Sequence, residues 1–195
     1  MNEDILEQTK NALDFIRKLH LEISYLFREI ESMLLREIER FLILKPGGYQ
    51  ITARTSNGLE PIFVDLWMTK DFSIFFAPES LIEESKSITV TRPKENLKVM
   101  FFQIKILNGK FSEPKLYYGF VNNIKLKKEH NKIEQMVGEF TYSTNRIFQN
   151  PPNINFESGY WSFKGKFRQV TLFSIEDSEH LRKTVIIPAL RLYRS

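Results

Sequence analysis

The sequence predicts an α+β fold: a long N-terminal helix packed on a mainly antiparallel sheet of about six strands, with two or three short helices. Three observations predict it. An apolar repeat runs from Leu6 to Leu44 without a glycine or proline, Lys45-Pro46-Gly47-Gly48 ends it abruptly, and beyond that stop the apolar period changes from helical to alternating.

The helix comes first. Leu6, Leu13, His20, Phe27, Leu34 and Phe41 recur every seven residues, and Thr9, Ile16, Ile23, Ile30 and Glu37 follow the first five by three. Ile5, Ala12, Leu19, Leu26 and Met33 widen the stripe, which then suits a helix laid on a sheet better than a strict two-stranded zipper. Asp14 and Lys18 stand at neighbour spacing on the opposite face. Such a helix is about 60 Å long at 1.5 Å per residue, whereas a domain of about 150 residues is only some 35–40 Å across. One end therefore overhangs and needs cover, from a second copy in a homodimer or from a partner helix. Leu6, Leu13, Ile16, Leu19 and His20 are the interface candidates; Ile23 to Phe41 are expected to lie on the chain's own sheet. His20 is expected to act as a polar register-setting residue rather than a ligand. The alternative is a helix bent or broken near His20 and absorbed by the chain's own core.

Strands follow the Gly-Gly turn. Tyr49–Arg54 and Ile62–Met68 alternate on either side of Ser56-Asn57-Gly58, and Asp71–Ala77 reads as a third strand. Glu79–Lys86 is a loop or short helix. Leu97–Leu107 is the most strand-like stretch, returning after Asn108-Gly109 through Leu116, Tyr118, Phe120 and Ile124. Lys127–Phe140 has helical spacing, Asn150-Pro151-Pro152-Asn153 is a loop, and Tyr160–Phe173 alternates again. In that last strand Trp161, Phe163 and Phe167 share one face and Lys164, Lys166 and Arg168 the other, predicting a sheet buried on one side and basic on the other. Asp177 or Ser178 caps a final helix that Pro188 ends or kinks. Residues 1–45 thus read as an association helix and 46–195 as a sheet domain, in one cooperative unit.

Composition narrows the function. At 42% hydrophobic and 27% charged residues, with 17 Phe, the 195-residue chain has the make-up of a folded domain with an aromatic core. It has no cysteine, which removes disulfides, thiolate catalysis and zinc–thiolate or iron–sulfur sites. The acidic start, Met1-Asn2-Glu3-Asp4, is unlike a signal peptide, and no apolar run reaches the roughly 20 residues that span a bilayer. The expectation is a soluble cytoplasmic protein without membrane contact. Charge is divided: residues 1–90 hold 15 Asp and Glu against 10 Lys and Arg, residues 91–195 hold 9 against 18. The basic half suits a polyanion or the acidic half of another copy.

Specific chemistry is harder to find. With 8 Gly there is no GxxxxGK[ST], GxGxxG or GxSxG string, so phosphate-loop, dinucleotide and nucleophile-elbow enzymes are disfavoured. His130 with Glu134 and Glu176 with His180 are four apart, but each pair offers only two ligands in polar surroundings; neither a metal nor any other cofactor is expected. Restriction-type nucleases set an acid on one strand and acid-x-lysine on the next, to hold a divalent metal and activate water. Asp65 stands where the first acid would be, yet Gln103-Ile104-Lys105 lacks the second and Glu113-Pro114-Lys115 contains a proline, which reads as an inactive copy at best.

Basic residues interleaved with aromatics form the more coherent signal. Lys105, Lys115, Tyr117 and Lys125 are assigned to one face of the central hairpin, and Lys164, Lys166 and Arg168 to one face of the late strand, with Tyr117 or Phe101 for base stacking. A Phe-rich sheet closed by helices also suits an apolar pocket for a small molecule. The leading expectation is a non-enzymatic interaction or self-associating protein, ahead of a nucleic-acid-binding module and a degenerate nuclease.

Overall fold

The structure, a computed structural model, describes residues 3–44, 71–81, 97–106, 113–127 and 133–195. The strands expected at 49–54 and 62–68, Asp65, His130 and the Asn108-Gly109 turn lie outside the described residues. Helix α1 (Glu3–Leu35) is followed by β1 (Phe41–Ile43), β2 (Asp71–Pro78), β3 (Val99–Lys105), β4 (Lys115–Leu126), α2 (Ile133–Tyr142), α3 (Thr144–Ile147), β5 (Asn153–Glu157) and β6 (Trp161–Thr171). Two short helices, α4 (Ser178–Leu181) and α5 (Ile187–Arg194), close the chain. The six strands form one antiparallel sheet in the order β1-β2-β3-β4-β6-β5. The fold is α+β, a long N-terminal helix with a six-stranded antiparallel sheet and a few short helices.

Helix α1 is one uninterrupted helix, neither bent into two nor broken at His20, and it ends ten residues before Lys45 of the Lys45-Pro46 stop. Phe41, which continues the seven-residue repeat, belongs instead to an edge strand. The Arg36 and Glu37 amides reach back only to Met33 and Leu34, at 3.3 and 3.4 Å, tightening the last turn, and Ile38 is left in solvent. Phe41, Leu42 and Ile43 then pair with Pro78, Ala77 and Phe76 of β2. The free edge of β2 satisfies the backbone of these residues while Phe41 and Ile43 still enter the core, so tertiary pairing overrides a helical period.

Across β2 and β3 both faces of the sheet are buried, which corrects the one-sided sheet that the sequence suggests for this part of the fold. On the first face, Ile74 and Phe76 of β2, Phe102 of β3 and Phe120 of β4 meet Ile23, Phe27, Ile30 and Leu34 of α1 and Val185 and Leu190 near the C terminus. On the second, Phe75, Phe101, Tyr117, Phe163 and Phe167 lie beneath Met136, Val137 and Phe140 of α2 and Ile147 at the end of α3. Phe-rich strands reading Phe-Phe on successive positions are what a sheet covered on both sides requires. At β6 the one-sided expectation does hold: Trp161, Phe163 and Phe167 are buried, while Lys164, Lys166 and Arg168 are exposed.

The C-terminal helix does not stop at Pro188. Between α4 and α5 the backbone widens into a π-helical segment, Arg182–Ile186, where the Ile187 amide bonds the Arg182 carbonyl. Proline at 188 has no N–H for the Thr184 carbonyl four residues back. The Tyr118 hydroxyl from β4 donates to that carbonyl instead, at 3.1 Å. A bond from the sheet thus replaces the one that proline removes, and the helix runs on to Arg194.

Burial raises the phenol pKa of Tyr193 well above its ordinary value of 10.0, with the Glu39 charge adding to it, and burial raises that of Tyr118 despite the opposing pull of Arg168. The folded state therefore holds these protons where the unfolded chain releases them. Their contribution is complete below pH 10 and declines as pH rises past 10 towards the raised values. Tyr193→Phe keeps the ring against Phe41 (5.1 Å, 86°) and loses the 2.9 Å bond from the hydroxyl to the Lys98 carbonyl. The expected result, read by denaturant unfolding from pH 7 to 11, is a cost of about 1 kcal/mol at neutral pH and a shallower alkaline loss than in the parent protein.

Candidate functional site

Two surfaces collect the residues that the sequence singles out. The first is the forward half of α1. Local contacts support the helix there: Thr9 Oγ1 donates to the Ile5 carbonyl at 2.7 Å, and Asp14 pairs with Arg17 at 3.7 Å rather than with Lys18. From Ile23 onward the stripe is buried on the sheet. Forward of it the same stripe is open: Leu6 is 57% exposed and Leu13 62%, while Phe15, on its flank, is 66% exposed. Ile16, Leu19 and His20 lie between, half-buried. His20 marks the boundary, its ring set edge-on to Phe72 at 5.3 Å where β2 begins. Beside Leu19 a groove of about 530 Å³ opens between α1 and residues 172–181, with Ile23, Leu26 and Leu181 at its floor and Glu22, Glu29, Glu176 and Asp177 around its rim.

The second surface is the outer face of β4, β6 and β5, on the α1 side of the sheet but beyond the helices. Lys164, Lys166 and Arg168 alternate along β6 here, and Lys125 joins them. A register shift in β4 between Asn122 and Lys125 turns Lys125 to this side, opposite Ser162, whereas Lys115 and Tyr117 point to the other. The seven basic and aromatic candidates are thus split. Lys105 is buried under the α2–α3 layer with its ammonium on Asn145 Oδ1. Tyr117 is buried and stacked on Phe148 at 4.4 Å and 2°, and Phe101 is buried beside Phe140. Neither ring is open for stacking on a base, because the second helical layer covers that face.

Sequence reasoning missed Lys98 of the segment leading into β3. Its ammonium lies 3.9 Å over the Phe120 ring and donates to the Tyr193 carbonyl. Burial lowers its pKa, and the nearby Lys166 charge lowers it further. The alternation of Lys98 with Met100 and Phe102 was the available signal.

The nuclease and metal candidates lie elsewhere. The acid that faces a lysine across neighbouring strands is Asp71, paired in register with Lys105, and Gln103 in turn faces Ser73. Gln103 and Ser73 are buried, and among the described residues neither side chain has a hydrogen-bond partner. Glu176 precedes α4 and offers its backbone amide, not its carboxylate, to His180 Nδ1 at 3.5 Å. Asp177 caps α4, accepting from the His180 amide at 2.7 Å. Among the described residues no three His, Asp or Glu side chains gather where they could hold a metal ion, and no helix is long and apolar enough to cross a membrane.

No protein-family model, curated protein or solved structure matches the chain.

Proposed function

We propose that the protein is a non-enzymatic interaction protein that self-associates, the forward half of α1 pairing antiparallel with the same segment of a second copy. One observation carries the reading: the apolar stripe runs the length of a 33-residue helix, yet the sheet covers only its rear half. At 1.5 Å per residue the open part, Asp4 to His20, is about 25 Å long, enough for several interlocking layers. Charge favours a second copy in the antiparallel sense. Glu3, Asp4 and Glu7 open the helix and Arg17 and Lys18 follow ten residues on. An antiparallel copy sets the acidic start along the partner's basic stretch, whereas a parallel copy stacks like on like.

Sedimentation at about 10 μM is expected to show a dimer, since micromolar affinity needs only about 8 kcal/mol. Burying a leucine is worth about 1.5–3 kcal/mol. A symmetric pair loses two, so Leu13→Glu is expected to weaken the dimer at least a hundredfold while its helical circular dichroism stays intact. A parent protein that is monomeric at 100 μM would sink the proposal. So would a monomer whose residues 5–20 are protected from hydrogen exchange, because the cover would then come from this chain.

A further inference from the structure

The outer face of β4, β6 and β5 has a feature that surface lysines alone do not explain: a hollow rich in hydrogen-bond donors, built by a backbone irregularity. In β4 one extra residue lies opposite β6 between Asn122 and Lys125, and Asn123 takes a left-handed conformation, φ 50°. Asparagine tolerates that region better than most residues, and bulges of this kind re-aim side chains. Without the extra residue Lys125 would point into the α2–α3 layer. With it, Lys125 turns outward and the surface opens into a hollow of about 380 Å³, lined by Asn123, Lys125, Asn155, Glu157, Ser162 and Lys164 together with Phe156 and Phe163. The one carboxylate is already held, since Glu157 pairs with Lys127 at 2.5 Å. Two ammonium groups, two amides and a hydroxyl remain, a donor set suited to a phosphate oxygen cluster.

The cations continue past the hollow. Successive outward residues of β6 are about 6.7 Å apart, so Lys164, Lys166 and Arg168 form a file about 13 Å long. Among the described residues none of these three, nor Lys125, has an ion-pair partner. Arg168 stands near enough to the Tyr118 hydroxyl to oppose the effect of its burial, and Lys98 stands close enough to Lys166 for the two like charges to oppose each other. Asn153 and Asn155 line the neighbouring strand β5, exposed.

We infer that this face binds single-stranded nucleic acid, one backbone phosphate sitting in the β4 hollow and the next ones following Lys166 and Arg168. A lone phosphorylated metabolite would fill the hollow and leave the file unused. A membrane surface calls for apolar side chains among the cations, and the outward residues of β6 from Ser162 to Arg168 are serine, lysine and arginine. Cations in file along one strand follow one phosphodiester chain rather than a duplex groove. Because Phe101 and Tyr117 are covered, contact is through the backbone and sequence preference is weak.

The test is fluorescence anisotropy with a labelled 12-nucleotide thymidine strand and a mixed-sequence RNA of the same length. Four phosphate contacts predict a loss of affinity of about fifty-fold between 50 and 200 mM salt, from a slope of about −0.7 per contact. Lys164→Glu with Lys166→Glu is expected to weaken binding more than tenfold, and Lys125→Ala to reduce the salt slope by one contact. Lys115→Ala, on the opposite face, should change neither. Binding is expected to survive in the Leu13→Glu protein, which separates this site from self-association. No binding at 50 mM salt, undiminished binding by the natively folded double variant, or capture by anionic phosphatidylserine vesicles but not by either strand would each overturn the inference. So would inorganic phosphate or a mononucleotide competing as well as the strand.

Discussion

Gly165→Ala is expected to lower stability by about 3 kcal/mol, and larger side chains at this position to prevent folding. A methyl group placed on Gly165 would lie 2.0 Å from the Phe120 carbonyl oxygen and 3.1 Å from the Val121 Cα. One on Gly119, across the same strand pair, would lie 2.0 Å from the Lys166 carbonyl oxygen and 2.8 Å from the Phe167 Cα. These obstacles are backbone atoms in the ladder between β4 and β6, so no side-chain rotation relieves them. The strands must separate by about an ångström, which strains several ladder hydrogen bonds together. Against a total stability of about 5–15 kcal/mol, that is a large fraction. The sign is what makes the test informative. Gly138, in the middle of α2, has open space where its Cβ would stand. There alanine is expected to stabilise by about 1 kcal/mol through helix propensity alone. Denaturant unfolding of both variants checks the pair, and equal effects at the two positions would refute the close-approach account.

Phe140→Ala is expected to cost about 3–5 kcal/mol. Phe140 is fully buried at the centre of an aromatic cluster on the second face. Its ring meets Phe101 at 4.8 Å, Phe75 at 5.1 Å edge-on, Phe163 at 5.8 Å and Phe148 at 5.9 Å. Removing it opens a cavity that β2, β3 and β6 border at once, and rigid strands collapse poorly into such a space. It also loosens α2, which rests on the sheet through Met136, Val137 and this ring. Phe140→Leu retains most of the volume and should cost about 1.5 kcal/mol or less. Phe15→Ala supplies the contrast: its ring is largely in solvent, and its removal should leave monomer stability within about 0.5 kcal/mol. A loss below 1 kcal/mol for Phe140→Ala, measured by chemical unfolding with near-ultraviolet circular dichroism, would show that the cluster does not hold the two layers together.

The strongly periodic elements were legible in the chain. The spacing from Leu6 to Leu34 marks α1, and the alternation around Met100, Tyr118 and Phe163 marks β3, β4 and β6. The change in α1 from covered to open near His20 follows from length alone, because a helix longer than its domain must overhang. Two strands were not legible. β1 hides inside the helical repeat at Phe41, where only the free edge of β2 decides for strand. β5 has just two buried residues, Ile154 and Phe156, too short a pattern to stand out beside Pro151-Pro152.

For the candidate surfaces the division is sharper. Residue order along β6 was enough to put Lys164, Lys166 and Arg168 on one face, since side chains alternate strictly along a strand. Whether Lys105, Lys115, Tyr117 and Lys125 share a face depends on strand register and on what covers each side, neither of which alternation encodes. The bulge at Asn123 inverts Lys125 relative to Lys115, and the α2–α3 layer buries Lys105 and Tyr117. Pro188 teaches the same point: alone it ends a helix, but Tyr118 from a distant strand satisfies the carbonyl it leaves unpaired. By itself the sequence determined the α+β class, the long helix with its overhang and the basic row on β6, because these rest on local period and chain length. Only the tertiary structure decided the second helical layer, the edge strand at Phe41 and the hollow in β4, because these depend on hydrogen-bond partners and neighbours remote in the chain.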